Sequence, residues 1–232
     1  RWALTAAKIR FEERSGLPVV HILPGILPSK PGTSRKQVPY LLLSDGACKP
    51  DSWSILKYAV ENGSSSIGAM PSEELQGLID ELGDTARTVA YDKLIDSPVV
   101  SGLSKESSFA QRTAWYWLIG LTRRVLSRLY VRSDQYVEEQ QNRLSDLIVK
   151  VQNQMGITNG VTHPTDLTAT NIALAAIMYP LLAPPNLFGG AQYFPPENEF
   201  SDDYKQLIDN YRQTELGKFA MRMYKEKRII EG

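Results

Sequence analysis

Apolar residues at both strand-like and helical spacing predict a small α/β unit at the start of the chain. The last helix of this unit is expected to stop at Asn62-Gly63, since both residues favour helix ends. A stretch rich in Pro, Gly, Ser and Lys over 28–36 predicts an exposed loop within the unit. The predicted elements are a helix from Ala3 to Ser15, strands at 19–23, 40–43 and 47–48, and a helix over 52–61.

Beyond a Gly- and Ser-rich stretch at 63–70, the chain carries only helical spacing. Ser72 can cap the first of these helices, and the helix over 167–182 is apolar nearly all round, which predicts a central position. The predicted helices cover 73–94, 137–155, 167–182, 204–211 and 216–224. We therefore expect an α/β domain over 1–62, a linker over 63–70 and an all-α domain over 71–232.

Charge and composition exclude several functions. The 26 basic and 26 acidic residues cancel, so a general nucleic-acid binder or a polybasic membrane protein is not expected, and any such role would have to be local. The lone Cys48 cannot form an internal disulfide, and His21 and His163 lie in no metal-binding spacing. With no predicted membrane span or signal peptide, the sequence predicts a soluble protein of a reducing compartment, in the cytoplasm or an organellar stroma or matrix.

Two short motifs flank the second and third predicted strands. Val38-Pro39 opens one strand, and Asp51-Ser52 opens the helix that follows the next. In this order they resemble the thioredoxin-like domain of glutathione transferases, in which a Val-Pro pair with a cis peptide precedes a strand and an acidic-Ser pair begins a helix. An ordinary trans turn and a plain helix cap are the alternatives at these two positions.

The resemblance implies glutathione as ligand or co-substrate. The main chain of Val38, before Pro39, would pair with the peptide-like ligand as an added strand does. Asp51 and Ser52 would offer a carboxylate, a hydroxyl and helix N-terminal N–H groups to the charged γ-glutamyl end. Lys30, Arg35 and Lys36 could face the glycine carboxylate, although a solvated loop is the simpler interpretation.

A third motif begins the central helix of the second domain. Thr168-Ala169-Thr170-Asn171 resembles the Ser/Thr-x-x-Asp box of the same family, with Asn171 where the family has Asp. The Thr168 hydroxyl can accept from the Asn171 backbone N–H, and Leu167 and Ile172 stand at hydrophobic-staple positions. The Pro184-Pro185 break, Arg212 and the basic tail over 220–228 extend the resemblance over most of the chain.

The catalytic group of that family lies in a part that this sequence does not include. The resemblance places the catalytic Tyr, Ser or Cys after a first strand that would come before Arg1, so we assign no catalytic residue. The central strand of the family's sheet would come from the same place, and we expect a preceding segment in the native protein. The thiolate stabilised there would attack an electrophile.

Two functions remain open on the sequence. The first is a glutathione transferase that binds glutathione and conjugates its thiolate; the second is a non-catalytic scaffold of the same fold within a larger organellar or membrane-associated assembly. The resemblance implies a homodimer or a subunit of a larger complex, with no nucleic acid. Aromatic residues at 115–117 and in the segment 187–200 are candidates for core, cleft or docking surfaces, and Cys48 is expected to be a small buried hydrophobe.

Overall fold

A computed structural model describes residues 1–13, 38–64, 67–95, 109–160, 167–184 and 197–226. Outside the described residues lie the strand predicted at 19–23, the loop over 28–36, both histidines, and Phe188, Tyr193 and Phe194. Within the described ranges, one two-stranded antiparallel sheet accompanies a set of helices. The helical character predicted for the second part of the chain is confirmed.

The first helix, α1, is shorter than its apolar spacing predicts. It spans Trp2–Ala6 and does not continue to Ser15. Lys8 has a left-handed backbone, with φ of 57°, and the N–H groups of Lys8 and Ile9 bond back to the carbonyls of Thr5 and Leu4. This Schellman arrangement closes the helix end, so the prediction of a long first helix is wrong.

A β-hairpin and a second helix complete the first part of the chain. Strands β1 (Leu41–Leu42) and β2 (Cys48–Lys49) pair antiparallel where two strands were predicted. Gly46 takes a positive φ of 85° in the connecting turn, which suits a residue without a Cβ. Helix α2 (Ser52–Asn62) then ends at Gly63, as expected, and packs against α1.

The remaining helices form a bundle around the first of them. They are α3 (Glu73–Leu94), α4 (Phe109–Leu126), α5 (Asp134–Met155), α6 (Ala169–Ile177), α7 (Tyr179–Leu182), α8 (Asp202–Gln213) and α9 (Glu215–Glu226). Helix α3 contacts α5, α6, α7 and α8 as well as a π-helical turn at Ser127–Val131 that joins α4 to α5. A 3₁₀ turn over Glu197–Glu199 precedes α8.

Serine side chains set the starts of three of these helices. The hydroxyls of Ser72, Ser133 and Ser201 each accept a hydrogen bond from the backbone N–H three residues on. Such bonds satisfy N–H groups that have no partner within the helix. The cap predicted at Ser72 is confirmed.

The central apolar helix differs from its prediction. The single helix expected over 167–182 is two helices, because α6 ends at Ile177 and α7 begins at Tyr179. Pro180 in the first turn of α7 has no N–H to continue the ladder of α6. Leu174, Ala175 and Leu181 are fully buried, so the expected central position is confirmed.

One apolar cluster joins the two parts of the chain. Buried residues of α1 and α2 belong to the same cluster as those of the helical bundle. The rings of Trp2 in α1 and Tyr224 in α9 lie 5.1 Å apart. Ile67, in the predicted linker, is also buried, and Gly68 forms a parallel bridge with Thr168 before α6. The stretch at 67–70 is thus packed against the bundle.

Candidate ligand-binding site

The register of the hairpin brings two sequence motifs to one end of it. Leu41 lies opposite Lys49 and Leu42 opposite Cys48. In an antiparallel pair each step backward along one strand matches a step forward along the other. Continued past the ladder, this register runs toward Val38-Pro39 on one side and Asp51-Ser52 on the other. Residues 13 positions apart in the chain are therefore directed to the same end of the sheet.

The Val38–Pro39 peptide bond is cis, as the resemblance implied. Val38 is 51% exposed, and the ladder of β1 begins only at Leu41. Val38 is therefore an accessible residue that precedes the paired part of the strand. An exposed residue beside a short strand is a position at which a peptide can add as a further strand.

Asp51 is the N-cap of α2. Its carboxylate accepts the backbone N–H of Ser54 at 2.8 Å and the Ser54 hydroxyl at 3.0 Å. The capping function considered for Asp51 is thus confirmed. The two bonds fix the carboxylate at the start of the helix, where negative charge is favoured by the helix dipole.

Ser52 is the first residue of α2 and is exposed. The backbone N–H groups of the first helical turn have no acceptor carbonyl within the helix. Of these, the Ser54 N–H is satisfied by the Asp51 carboxylate. The start of α2 therefore offers a hydroxyl and backbone donors to solvent. Together these are suited to a ligand carboxylate rather than to a cation.

Two contacts of α2 were not predicted. The indole Nε1 of Trp53 donates a 2.8 Å hydrogen bond to Oδ1 of Asp80 in α3. The ammonium of Lys49 lies 5.5 Å from the ring centre of Tyr58, which places a cation beside α2. Lys49 comes directly before Pro50-Asp51 in the sequence. Its place beside this motif could have indicated a positive charge near the start of α2. The cations considered from the sequence, Lys30, Arg35 and Lys36, lie outside the described residues.

Thr168 and Asn171 form a separate, structural group. The Thr168 hydroxyl accepts the Asn171 backbone N–H at 3.0 Å, so the predicted cap of α6 is confirmed. Asn171 is buried, and both staple residues, Leu167 and Ile172, belong to the apolar cluster. Thr168 also pairs with Gly68 across an isolated bridge. These residues position α6 within the core.

Two other sequence candidates are divided by burial. Trp115 is buried, whereas Tyr116 and Trp117 are each 77% exposed. Of these three consecutive residues, the first therefore belongs to the core and the other two to the surface. Cys48 is half-buried in β2 rather than enclosed in the core.

A surface depression between α3 and α5 lies away from the hairpin. Its lining includes Glu81, Asp84, Tyr136 and Arg143. Arg143 forms an ion pair with Glu81 across the two helices. Since these charges already neutralise each other, the depression offers less to a charged ligand than the start of α2 does.

Metal ligands, membrane spans and related proteins do not point to a function. Among the residues that the structure describes, no group of three potential ligands could hold a metal ion, and no helix is long and apolar enough to cross a membrane. No protein-family model, curated protein or solved structure matches the chain. The functional assignment therefore rests on local geometry.

Proposed function

We propose that the chain binds glutathione at the open end of the hairpin, within a thioredoxin-like arrangement of its first part. The observation that carries the proposal is the hairpin register, which directs Val38-Pro39 and Asp51-Ser52 to one end of the sheet. A peptide-like ligand with a charged amino-acid end needs both a backbone edge and a helix N-terminus.

The ligand's parts match separate features of this end. The exposed residue Val38 suits the cysteinyl amide of the tripeptide through its main chain, and the start of α2 at Ser52 suits the γ-glutamyl carboxylate. The Asp51 carboxylate, held by its two bonds to Ser54, is available to the γ-glutamyl ammonium through its remaining lone pairs. Lys49 supplies a cation beside α2, over the ring of Tyr58.

The test is calorimetric titration of the purified chain with glutathione and, separately, with cysteinyl-glycine. We expect binding of glutathione and no binding of the dipeptide, which lacks the γ-glutamyl group. Ser52→Ala should weaken glutathione about tenfold by removing one hydrogen bond to a charged group. Ser145→Ala, an exposed serine on α5, is the matched control and should not change affinity.

Other outcomes would contradict the proposal. Failure to bind glutathione, together with co-purification of a stoichiometric protein partner, would favour the scaffold function. Equal binding by wild type and Ser52→Ala would place the ligand elsewhere on the chain. Conjugating activity is a further step, and an assay with glutathione and a nitroaryl chloride measures it independently of binding.

A further inference from the structure

Helix α4 carries an apolar face that is open to solvent. Phe109 is 79% exposed, Tyr116 and Trp117 are 77% exposed, and Leu121 is 50% exposed. Positions 109, 116, 117 and 121 recur at helical spacing and share one side of the helix. Folded proteins seldom leave large aromatic side chains contiguous and open unless the surface has a partner.

The opposite side of α4 is anchored to the protein. Trp115 and Thr122 are buried, and α4 continues directly into the π-helical turn at Ser127–Val131, which contacts α3. The helix therefore lies at the periphery of the bundle, with its aromatic face directed away from it.

The same segment has a strong local positive charge. Between Phe109 and Ser133 the sequence contains no Asp or Glu and five arginines, in a chain whose net charge is zero. Arg112 lies near the start of the exposed face, and Arg124 and Arg128 near its end; all three are exposed. No carboxylate of the described residues forms an ion pair with these three side chains. The arginines of the segment are Arg112, Arg123, Arg124, Arg128 and Arg132.

We propose that α4 binds the surface of an anionic lipid bilayer, lying in its plane with the aromatic face at headgroup level. Tyr and Trp rings are favoured at that depth because they are apolar in body and polar at one edge. Arginines beside them reach lipid phosphates while their stems stay against apolar surface. The helix has 18 residues and cannot span the bilayer, which fits binding along the surface.

Charge decides among the occupants of this face. A symmetric pair of copies would bring the arginines of one α4 against those of the other, which is repulsive. The cations are spread along both ends of the helix around an aromatic centre, and this suits a continuous anionic surface. The inference is independent of glutathione binding, because it uses residues of α4 and its adjoining turn only.

The first experiment measures vesicle binding of the wild-type chain, and its single variant, Trp117→Phe, is a control for fluorescence. The full chain is mixed with vesicles of phosphatidylcholine containing about 30% phosphatidylglycerol, or with pure phosphatidylcholine, and sedimented. We expect sedimentation with the anionic vesicles only, reduced by salt. Brominated lipid should quench fluorescence of the wild type, and much less that of Trp117→Phe, since Trp2 and Trp115 are buried and Trp53 lies on α2, bonded to Asp80.

Substitutions then separate charge from apolar contact. Arg112→Gln/Arg124→Gln/Arg128→Gln should lower the vesicle partition coefficient about 100-fold. Tyr116→Ser/Trp117→Ser should lower it at least about tenfold by removing apolar area. Matched controls on other faces are Lys57→Gln/Lys150→Gln/Lys225→Gln and Val149→Ser, which should stay near the wild-type value.

Three results would overturn the proposal. The first is no sedimentation of wild type with anionic vesicles, including the case in which an acidic protein is captured instead. The second is an equal loss in the arginine and lysine triple variants, which would mean that only net charge matters. The third is a concentration-dependent dimer, seen by analytical ultracentrifugation, that shields Trp117 from iodide.

Discussion

The hydroxyl of Tyr204 in α8 donates a 2.6 Å hydrogen bond to the main-chain carbonyl oxygen of Pro180 in α7. Tyr204 is fully buried, and its ring lies 5.1 Å from that of Phe200. Burial raises the pKa of its phenol above the ordinary value. A neutral donor thus links two helices of the bundle inside the core.

Tyr204→Phe should destabilise the protein by about 0.5–1.5 kcal/mol, since it removes the hydrogen bond to the carbonyl of the half-buried Pro180. The phenylalanine ring keeps the packing against Phe200. Urea unfolding of both proteins at neutral pH measures the difference in the free energy of unfolding.

Tyr211→Phe is the matched control. Tyr211 lies on the same helix and is half-buried, and its hydroxyl makes no hydrogen bond with the described residues. It should change the free energy of unfolding by less than about 0.5 kcal/mol. Equal losses in the two variants would show that the bond to Pro180 is not the source of the effect.

Two glycine-to-alanine substitutions should act in opposite directions. Gly77 is exposed within α3, and a Cβ there meets nothing within 4 Å. Gly77→Ala should therefore stabilise by about 0.5–1 kcal/mol through helix propensity. At Gly217 in α9, a Cβ would overlap the carbonyl oxygen of Tyr211, and Gly217→Ala should cost about 1–3 kcal/mol. Thermal unfolding of both variants is the measurement; a gain in both would contradict the packing at Gly217.

Substitutions of Asp51, the N-cap of α2, should change the free energy of unfolding even when no ligand is present. Asp51→Ala removes the bond to the Ser54 N–H and should cost about 1 kcal/mol. Asp51→Asn should retain most of the stability, since Asn caps equally well. If Asp51→Asn loses as much as Asp51→Ala in urea unfolding, the carboxylate charge matters more than the cap.

Local patterns predicted much of this fold because their physical causes are local. The hydroxyl caps at Ser72 and Thr168 depend only on neighbouring residues, as does the end of α2 at Gly63. The early end of α1 was missed because it depends on a left-handed lysine, Lys8, where sequence rules look for glycine.

Long-range contacts could not be predicted in this way. The guanidinium of Arg212 donates to the carbonyls of Leu182 and Ala183 and to the Glu197 carboxylate, 15 to 30 positions away. No spacing pattern in the sequence predicts these acceptors of Arg212. At the candidate site, the resemblance already assigned Val38-Pro39 and Asp51-Ser52 to one ligand, and the hairpin register adds how the two motifs are related in space. The exposed face of α4 was equally hidden, because an apolar run does not show which of its residues are buried.

Alkaline pH should lower the free energy of unfolding, and the ionisation of Tyr211 should contribute to this loss. Burial raises the pKa of this phenol from 10.0 to about 12. Between these values the unfolded chain has lost the proton and the folded chain has kept it, so stability falls as pH rises, by at most about 1.4 kcal/mol per pH unit for this group. Below pH 10 the group is neutral in both states and has no effect.

Tyr211→Phe removes this one titration and leaves Tyr204 in place. The free energy of unfolding, measured in urea at several pH values from 9 to 12, should fall less steeply in the variant than in wild type. Comparing slopes cancels the lysines and the other tyrosines, which titrate in both proteins. Parallel slopes would mean that Tyr211 ionises equally in the folded and unfolded chains, and hence that its ring is not shielded from water in solution.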